Sequence, residues 1–137
     1  RHQCGAGRSE AVRVRYAEAG VGHVEVEDFI ADMASAYGWA DLAITRAGAM
    51  TISELAAAGL PALLWPLPFS TDDHQRRNAE RVSPPCGVID SAESLGQHLP
   101  DWLGSRERLA ERAAAMRAFH LPGAVESIVQ TVLGEFA

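Results

Sequence analysis

Short apolar runs alternate with longer stretches of helical periodicity along most of this chain, and this alternation constrains the fold more than any other feature. Residues 42–45 and 61–65 are two such apolar runs, and each precedes a segment whose apolar residues recur at helical spacing. This order is typical of βα units, in which helices connect parallel strands and cover the sheet. The sequence therefore predicts an α/β fold with a parallel sheet and flanking helices.

Capping and turn residues place the remaining elements. Ser9 is predicted to cap a helix that runs to about Ala19, and Gly20 stands just past its last turn, where glycine commonly ends helices. The other predicted elements are a strand at 23–27, a short helix with Met33, Tyr37 and Trp39 in the core, a helix within 46–61, a helix at about 72–82, and a weak strand at Val88 and Ile89.

The last third of the sequence contains only helical patterns. From Ala92 onward these patterns are interrupted at Pro100, at Gly104 and at Pro122 with Gly123. Proline inside a helical pattern usually marks a helix end, and glycine commonly follows one. We therefore expect a helical tail with three breaks.

Composition narrows the classes of protein to which the chain can belong. The 137 residues are 47% hydrophobic and 22% charged, which is typical of one folded globular domain. The net charge is −6, and all 12 positive side chains are arginines, so no basic stripe is available for a phosphate backbone. We expect a single domain at 1–137 and no nucleic-acid partner.

The cysteines and the hydropathy pattern carry further expectations. Cys4 and Cys86 lie far apart in the sequence and form no Cys-x-x-Cys pair, so neither a disulfide framework nor a zinc site is predicted. We therefore expect the protein to belong to a reducing compartment. No apolar run approaches the roughly 20 residues of a membrane-spanning helix, so no transmembrane segment is predicted. The chain begins with Arg1 at what reads as the end of a strand, which predicts a piece of a longer protein.

The first candidate site is the loop and helix start that follow the predicted strand at 42–45. Ligands of parallel sheets bind where strands end and the next helices begin, and small residues at 47–49 would let a ligand approach the backbone. Thr51 and Ser53 are predicted to cap the helix or to bind a phosphate oxygen. Glu54, expected in the first turn, could accept two hydrogen bonds from a ribose diol. The alternative is that these residues merely start a helix.

A second candidate loop follows the strand at 61–65. His74, Gln75 and Asn78 could bind sugar hydroxyls there, although a solvated helix start capped by Asp72 is favoured on spacing alone. The cluster at 72–74 suggests a metal, but no third ligand stands at a familiar spacing. No metal cofactor is therefore predicted.

Two stretches together carry a family resemblance, RAGAMTISELAAAGLP at 46–61 and DDHQRRNA at 72–79. They resemble the C-terminal half of the MurG family, bacterial glycosyltransferases that add N-acetylglucosamine to a lipid-linked muramyl-pentapeptide in peptidoglycan synthesis. The resemblance implies a GT-B architecture of two Rossmann-like domains facing a cleft. It places this chain in the half that binds the UDP-sugar donor.

The resemblance also implies a set of residues that bind UDP-N-acetylglucosamine (UDP-GlcNAc). Ile30 would contact uracil through its backbone, Glu54 would hold the ribose, and His74 with Gln75 would read the sugar hydroxyls. Arg46 would either balance phosphate charge or tie down its loop. The full set is Phe29, Ile30, Arg46, Ala49, Met50, Thr51, Ser53, Glu54, His74, Gln75 and Asn78.

The implied reaction is a displacement that inverts the anomeric centre, with UDP leaving and no bound metal. The lipid-linked acceptor would bind through an N-terminal half that this chain lacks, at the cytoplasmic face of the plasma membrane. A first strand and a glycine-rich loop that cradles the diphosphate in the family are also missing, so we expect the chain alone to be inactive. The missing strand would also leave a sheet edge unpaired, which favours association or aggregation. The run Ser83-Pro84-Pro85 departs from the family pattern.

Two alternatives remain open from the sequence. The chain could come from another GT-B transferase that uses a different UDP-sugar or acceptor. It could also be a truncated nucleotide-sugar-binding module without turnover.

Overall fold

The computed structural model describes residues 1–68 and 73–134, apart from the side chain of Val125. Within these residues the chain alternates parallel strands with helices, and the predicted α/β class is confirmed. The elements are β1 His2–Gln3, α1 Ser9–Glu18, β2 Val26–Glu27, α2 Met33–Trp39, β3 Ala43–Thr45, α3 Ala49–Ala58, β4 Ala62–Leu64, α4 His74–Arg81, β5 Gly87–Val88, α5 Ala92–Leu103, α6 Arg106–Arg117 and α7 Ala124–Gly134.

The chain divides into two compact units, Arg1–Ala36 and Tyr37–Ala137. The first unit holds the parallel pair β1–β2, in which His2 is opposite Val26, with α1 as the crossover helix. The strand predicted at 23–27 is thus confirmed only in its last two residues. The expectation of a single domain stays a prediction.

The N-terminus of α1 is capped by a residue distant in sequence. The Asp28 carboxylate accepts hydrogen bonds from the backbone N–H groups of Gly7 at 2.8 Å, Arg8 at 3.2 Å and Ser9 at 3.0 Å. The predicted Ser9 cap is wrong, because Ser9 is the first helical residue and the N-cap position, Arg8, makes no side-chain cap. A carboxylate that satisfies these donors leaves the serine hydroxyl no capping role.

We expect the Asp28→Asn variant to melt at a lower temperature than the unmodified chain at neutral pH. The bond from the Gly7 N–H, followed by those from Ser9, lowers the pKa of the Asp28 carboxyl. The hydrogen bonds to the ionised Asp28 carboxylate therefore stabilise the fold above the unfolded pKa of about 3.9. Their contribution is lost as pH falls through the lower folded pKa.

Melting temperatures measured from pH 7 down to pH 3 test the Asp28 prediction. The difference between the unmodified chain and Asp28→Asn should shrink below about pH 4. Asp90→Asn, at an exposed carboxylate, is the matched control and should leave the melting temperature nearly unchanged. A difference that is constant across the whole pH range would contradict the capping role.

The second unit is built on the parallel sheet β3–β4–β5, with β4 in the centre. All three β4 residues are fully buried. Leu63 packs with Ile89 and Trp102, whereas Ala62 and Leu64 belong to a second cluster that includes Leu55 of α3. Successive side chains of a strand point to opposite faces, so both faces of this strand are covered, as expected for a parallel sheet.

The helix within 46–61 stops at the position the sequence indicates. Gly59 adopts a left-handed conformation with φ of 66°, the Leu60 N–H donates to the Leu55 carbonyl, and the Gly59 N–H donates to the Ala56 carbonyl. This pair of bonds is the Schellman arrangement, which only glycine adopts without strain. The predicted stop is confirmed.

One of the three breaks predicted in the tail is wrong. Pro100 lies inside α5, which continues to Leu103 and buries Trp102 in the core. Packing of this tryptophan offsets the backbone bond that proline removes. The break falls at Gly104, where an added Cβ would lie 2.7 Å from the Pro100 carbonyl oxygen, and the interruption at Pro122 with Gly123 precedes α7 as predicted.

The exposure of Trp39 differs from the sequence prediction. Trp39, expected in the core, is 69% exposed, because it is the last residue of a short helix whose buried position is Ala36.

In residues 1–68 and 73–134, no helix combines the length and the apolar character that crossing a bilayer requires.

Candidate functional site

The first turn of α3 presents uncapped backbone N–H groups just after β3. The helix begins at Ala49, and its N-cap is Gly48, which has no side chain to satisfy them. The predicted capping by Thr51 and Ser53 is therefore wrong, because both residues lie inside the helix. The Ser53 hydroxyl instead donates to the Ala49 carbonyl oxygen at 3.1 Å.

Glu54 lies in the second turn of α3 and not in the first, so the predicted stabilisation by the helix dipole is wrong. Its position is set by a partner from α2, because the Tyr37 hydroxyl donates to Glu54 Oε2 at 3.0 Å. The Glu54 side chain is exposed to solvent, whereas Tyr37 is half-buried against the core cluster of α3 and β4. The carboxylate is thus accessible and held at one oxygen.

Hydrogen bonds join the loops that follow β3 and β4. Arg46 Nη1 donates to the Trp65 carbonyl oxygen at 3.1 Å, and its guanidinium lies 5.8 Å from the centre of the Trp65 ring. Asn78 Nδ2 of α4 donates to the Ala47 carbonyl oxygen at 3.2 Å. Of the two roles expected for Arg46, the structure displays the one that ties down the loop.

The start of α4 carries the other predicted sugar-binding residues. Gln75 Oε1 accepts a hydrogen bond from the Leu67 N–H at 3.1 Å, and His74 is the first residue of the helix. Asp73, at the N-cap, has a left-handed backbone with φ of 53° and makes no side-chain cap. The proposed Asp72 cap lies outside the described residues. In the described parts of the chain, no cluster of three His, Cys, Asp or Glu side chains could hold a metal ion.

The predicted uracil-binding residues follow β2 in the first unit. The Phe29 side chain is 65% exposed, and the Ile30 N–H donates to Gln3 Oε1 at 2.9 Å. The Ile30 carbonyl remains as a backbone group that a base could use. Sequence reasoning had assigned no role to Gln3, because its strand position carries no pattern that indicates a partner.

The structure therefore brings several predicted residues into defined contacts within the second unit. Arg46, Gln75 and Asn78 hold loops at the ends of strands, and Glu54 is held by Tyr37. Sequence reasoning assigned Tyr37 to the core and did not predict its hydrogen bond to Glu54. The available signal was its hydroxyl, which needs a partner when the ring is partly buried.

We expect Tyr37 to titrate well above an ordinary tyrosine. Burial, and then the hydrogen bond to Glu54, raise the pKa of Tyr37 to about 12. The neutral Tyr37 hydroxyl is favoured in the folded protein, and its contribution to stability is complete below the unfolded pKa of about 10. The contribution is lost as pH rises from there through the folded pKa. Phenolate absorbance during an alkaline titration should show a component near pH 12 that Tyr37→Phe lacks. Identical titrations of the two proteins would contradict this assignment.

Comparison with known proteins bears on this geometry. The model of the glycosyltransferase family 28 C-terminal domain matches residues 1–127. The chain belongs to glycosyltransferase family 28. This match, together with the relatives described next, confirms the family resemblance read from residues 46–61 and 72–79.

Family 28 relatives match nearly the whole chain but less than half of their own length. Transferases named UDP-N-acetylglucosamine–N-acetylmuramyl-(pentapeptide) pyrophosphoryl-undecaprenol N-acetylglucosamine transferase are 46% identical in Pseudomonas fluorescens and 45% identical in Marinobacter nauticus. The matches cover 96% and 97% of this chain, respectively, and 38% of each relative. The crystal structure of Acinetobacter baumannii MurG superposes with a TM-score of 0.88 at 38% identity, over 97% of this chain and 42% of that one.

Proposed function

We propose that this chain is the donor-binding part of an inverting UDP-GlcNAc transferase. In the full-length polypeptide it would act in the transfer of N-acetylglucosamine to a lipid-linked N-acetylmuramyl-pentapeptide. The observation that carries the proposal is the 46% identity, across 96% of the chain, with a transferase named for this donor and this acceptor. Membership of glycosyltransferase family 28 supports the same class of reaction.

In this proposal the start of α3 binds the diphosphate of the donor. Backbone N–H groups in the first turn, at Ala49, Met50 and Thr51, have no intrahelical partners, and Gly48 offers no side chain that would occupy them. Such groups, together with the positive end of the helix dipole, favour phosphate oxygens. As the glycosidic bond breaks, the same donors would stabilise the negative charge on the departing UDP, so we propose transfer without a metal cofactor.

The ribose and the sugar would be bound by side chains of α3 and α4. Glu54 would accept hydrogen bonds from the ribose hydroxyls. The Gln75 carbonyl oxygen accepts a hydrogen bond from the Leu67 N–H, so the NH2 group of Gln75 can donate to sugar hydroxyls. The Asn78 NH2 group donates to the Ala47 carbonyl, so the side-chain oxygen of Asn78 can accept from them. His74 would add a ring nitrogen, and Ser53 a hydroxyl, to the same set of groups.

In the first unit, Phe29 and Ile30 would contact the uracil. The Ile30 N–H already donates to Gln3, so the Ile30 carbonyl is the group we assign to the N3–H of the base. The exposed Phe29 ring would provide apolar contact beside it. The lipid-linked acceptor would be bound by other parts of the full-length polypeptide, working at the cytoplasmic face of the membrane.

Transfer of labelled sugar by the full-length polypeptide tests the proposed function. With a lipid-linked N-acetylmuramyl-pentapeptide acceptor, we expect transfer from UDP-GlcNAc well above that from UDP-glucose, and no loss of activity in a metal chelator. Preferred transfer from a different UDP-sugar would assign the chain to another GT-B enzyme. Tight binding of UDP-GlcNAc without any transfer would leave only a binding module, and either result would overturn the proposal.

A further inference from the structure

We infer that Tyr37 is a positioning residue that holds the Glu54 carboxylate in the orientation required to bind a ribose diol. This inference rests on the proposed function, since it assigns Tyr37 a part in the same donor site. The contact that carries it is the 3.0 Å hydrogen bond from the Tyr37 hydroxyl to Glu54 Oε2.

The two partners differ in how firmly the protein holds them. Tyr37 has only two side-chain rotations, and its ring is packed against the core cluster that contains Leu55 and Ala56. Glu54 has three rotations and lies on an exposed part of α3, so by itself it would sample several orientations in water. A rigid hydroxyl bonded to Oε2 therefore selects one orientation of a mobile carboxylate before any ligand binds.

The selected orientation leaves acceptor capacity on the carboxylate. Glu54 Oε1 has no hydrogen-bond partner among residues 1–68 and 73–134, and Oε2 keeps lone-pair capacity beyond the bond from Tyr37. Vicinal hydroxyls present two donors a short distance apart, which a fixed carboxylate can accept together. Ordering the side chain in advance lowers the entropy that ligand binding has to remove.

A purely structural role for the hydroxyl is the competing explanation. The Tyr37–Glu54 hydrogen bond lies at the surface, so water would solvate Glu54 if the Tyr37 hydroxyl were removed, and the fold would lose little stability. The ring of Tyr37, and not its hydroxyl, makes the core contacts. Tyr37→Phe should therefore keep the fold and lose only the orientation of Glu54.

Dissociation constants of the full-length polypeptide test the inference. UDP-GlcNAc is compared with an analogue that lacks both ribose hydroxyls, for the unmodified protein, Tyr37→Phe, Glu54→Ala and the double variant. We expect Tyr37→Phe to weaken binding of UDP-GlcNAc about three- to tenfold, the size of one hydrogen bond, with no change for the analogue. The matched control is Tyr16→Phe, which removes a hydroxyl that is hydrogen-bonded to His2 and not to Glu54. This variant should bind both ligands normally.

Each departure from this pattern has a distinct meaning. Equal weakening of both ligands by Tyr37→Phe, or the same weakening in the Glu54→Ala background, would overturn the positioning role and leave the proposed function standing. If Glu54→Ala itself binds UDP-GlcNAc normally, the ribose contact fails, and the inference fails with it. If the unmodified protein binds neither ligand, the proposed donor itself is wrong.

Discussion

Replacing Glu54 with alanine is expected to weaken binding of UDP-GlcNAc by about two orders of magnitude or more, because two ribose hydroxyls would each lose a hydrogen bond to the carboxylate. Each hydrogen bond to a charged group contributes roughly 1.5–3 kcal/mol, and about 1.4 kcal/mol corresponds to a tenfold change in affinity. Loss of the carboxylate would remove the acceptor that we assign to the ribose hydroxyls. The exposed position of Glu54 means that the fold should tolerate the substitution.

Calorimetric titration with UDP-GlcNAc measures the effect of Glu54→Ala directly. Glu54→Gln keeps the length of the side chain and one acceptor oxygen, so it should fall between the alanine variant and the unmodified protein. Glu80→Ala, at an exposed glutamate of α4, is the matched control and should bind normally. Unchanged affinity in a folded Glu54→Ala protein would exclude Glu54 from the donor site.

Replacing Leu63 with alanine is expected to lower the free energy of unfolding by about 2–5 kcal/mol, the range found for leucine-to-alanine changes in well-packed cores. Leu63 lies at the centre of β4, is fully buried, and packs with Ile89 and Trp102. Strands on both sides of β4 and helices over its faces leave little freedom for the surroundings to collapse into the cavity.

Urea denaturation measures the Leu63→Ala effect through the midpoint of unfolding. Leu103→Ala is the matched control, because this leucine at the end of α5 is 59% exposed. It should change the free energy of unfolding by no more than about 0.5 kcal/mol. Similar midpoints for the two variants would mean that β4 is not the centre of the core.

Much of the fold could be predicted because the signals are local. The period of the apolar residues distinguishes strands from helices, and the order of elements then indicates a parallel sheet. Gly59 stops α3 because a left-handed residue is needed there, and glycine adopts that conformation without strain. Strand ends were less accurate, since pairing partners and not propensity decide where a strand such as β2 begins.

The Pro100 and Trp39 errors have a common cause. Local preference ends a helix at proline and buries a tryptophan, but tertiary packing decides both outcomes. Burial of Trp102 carries α5 beyond Pro100, and the end position of Trp39 on a short helix leaves its ring exposed. Neither outcome has a periodic signature in the sequence.

The candidate site divides in the same way. Sequence motifs indicated which residues belong to it, including Glu54, Gln75 and Asn78, and those assignments as donor-binding residues stay predictions. The motifs did not indicate that the side chains of Gln75 and Asn78 each hydrogen-bond to a backbone group. Nor did they indicate that the Tyr37 hydroxyl donates to Glu54. Each of these contacts joins residues that no local pattern connects.

The sequence by itself determined the alternation of strands and helices, the stop at Gly59 and the family to which the chain belongs. Only the tertiary structure decided which polar groups satisfy one another, such as Asp28 with the start of α1 and Arg46 with Trp65. The physical reason is that backbone preferences act over a few residues, whereas a polar group near the surface or the core takes whichever partner the packed chain brings within reach.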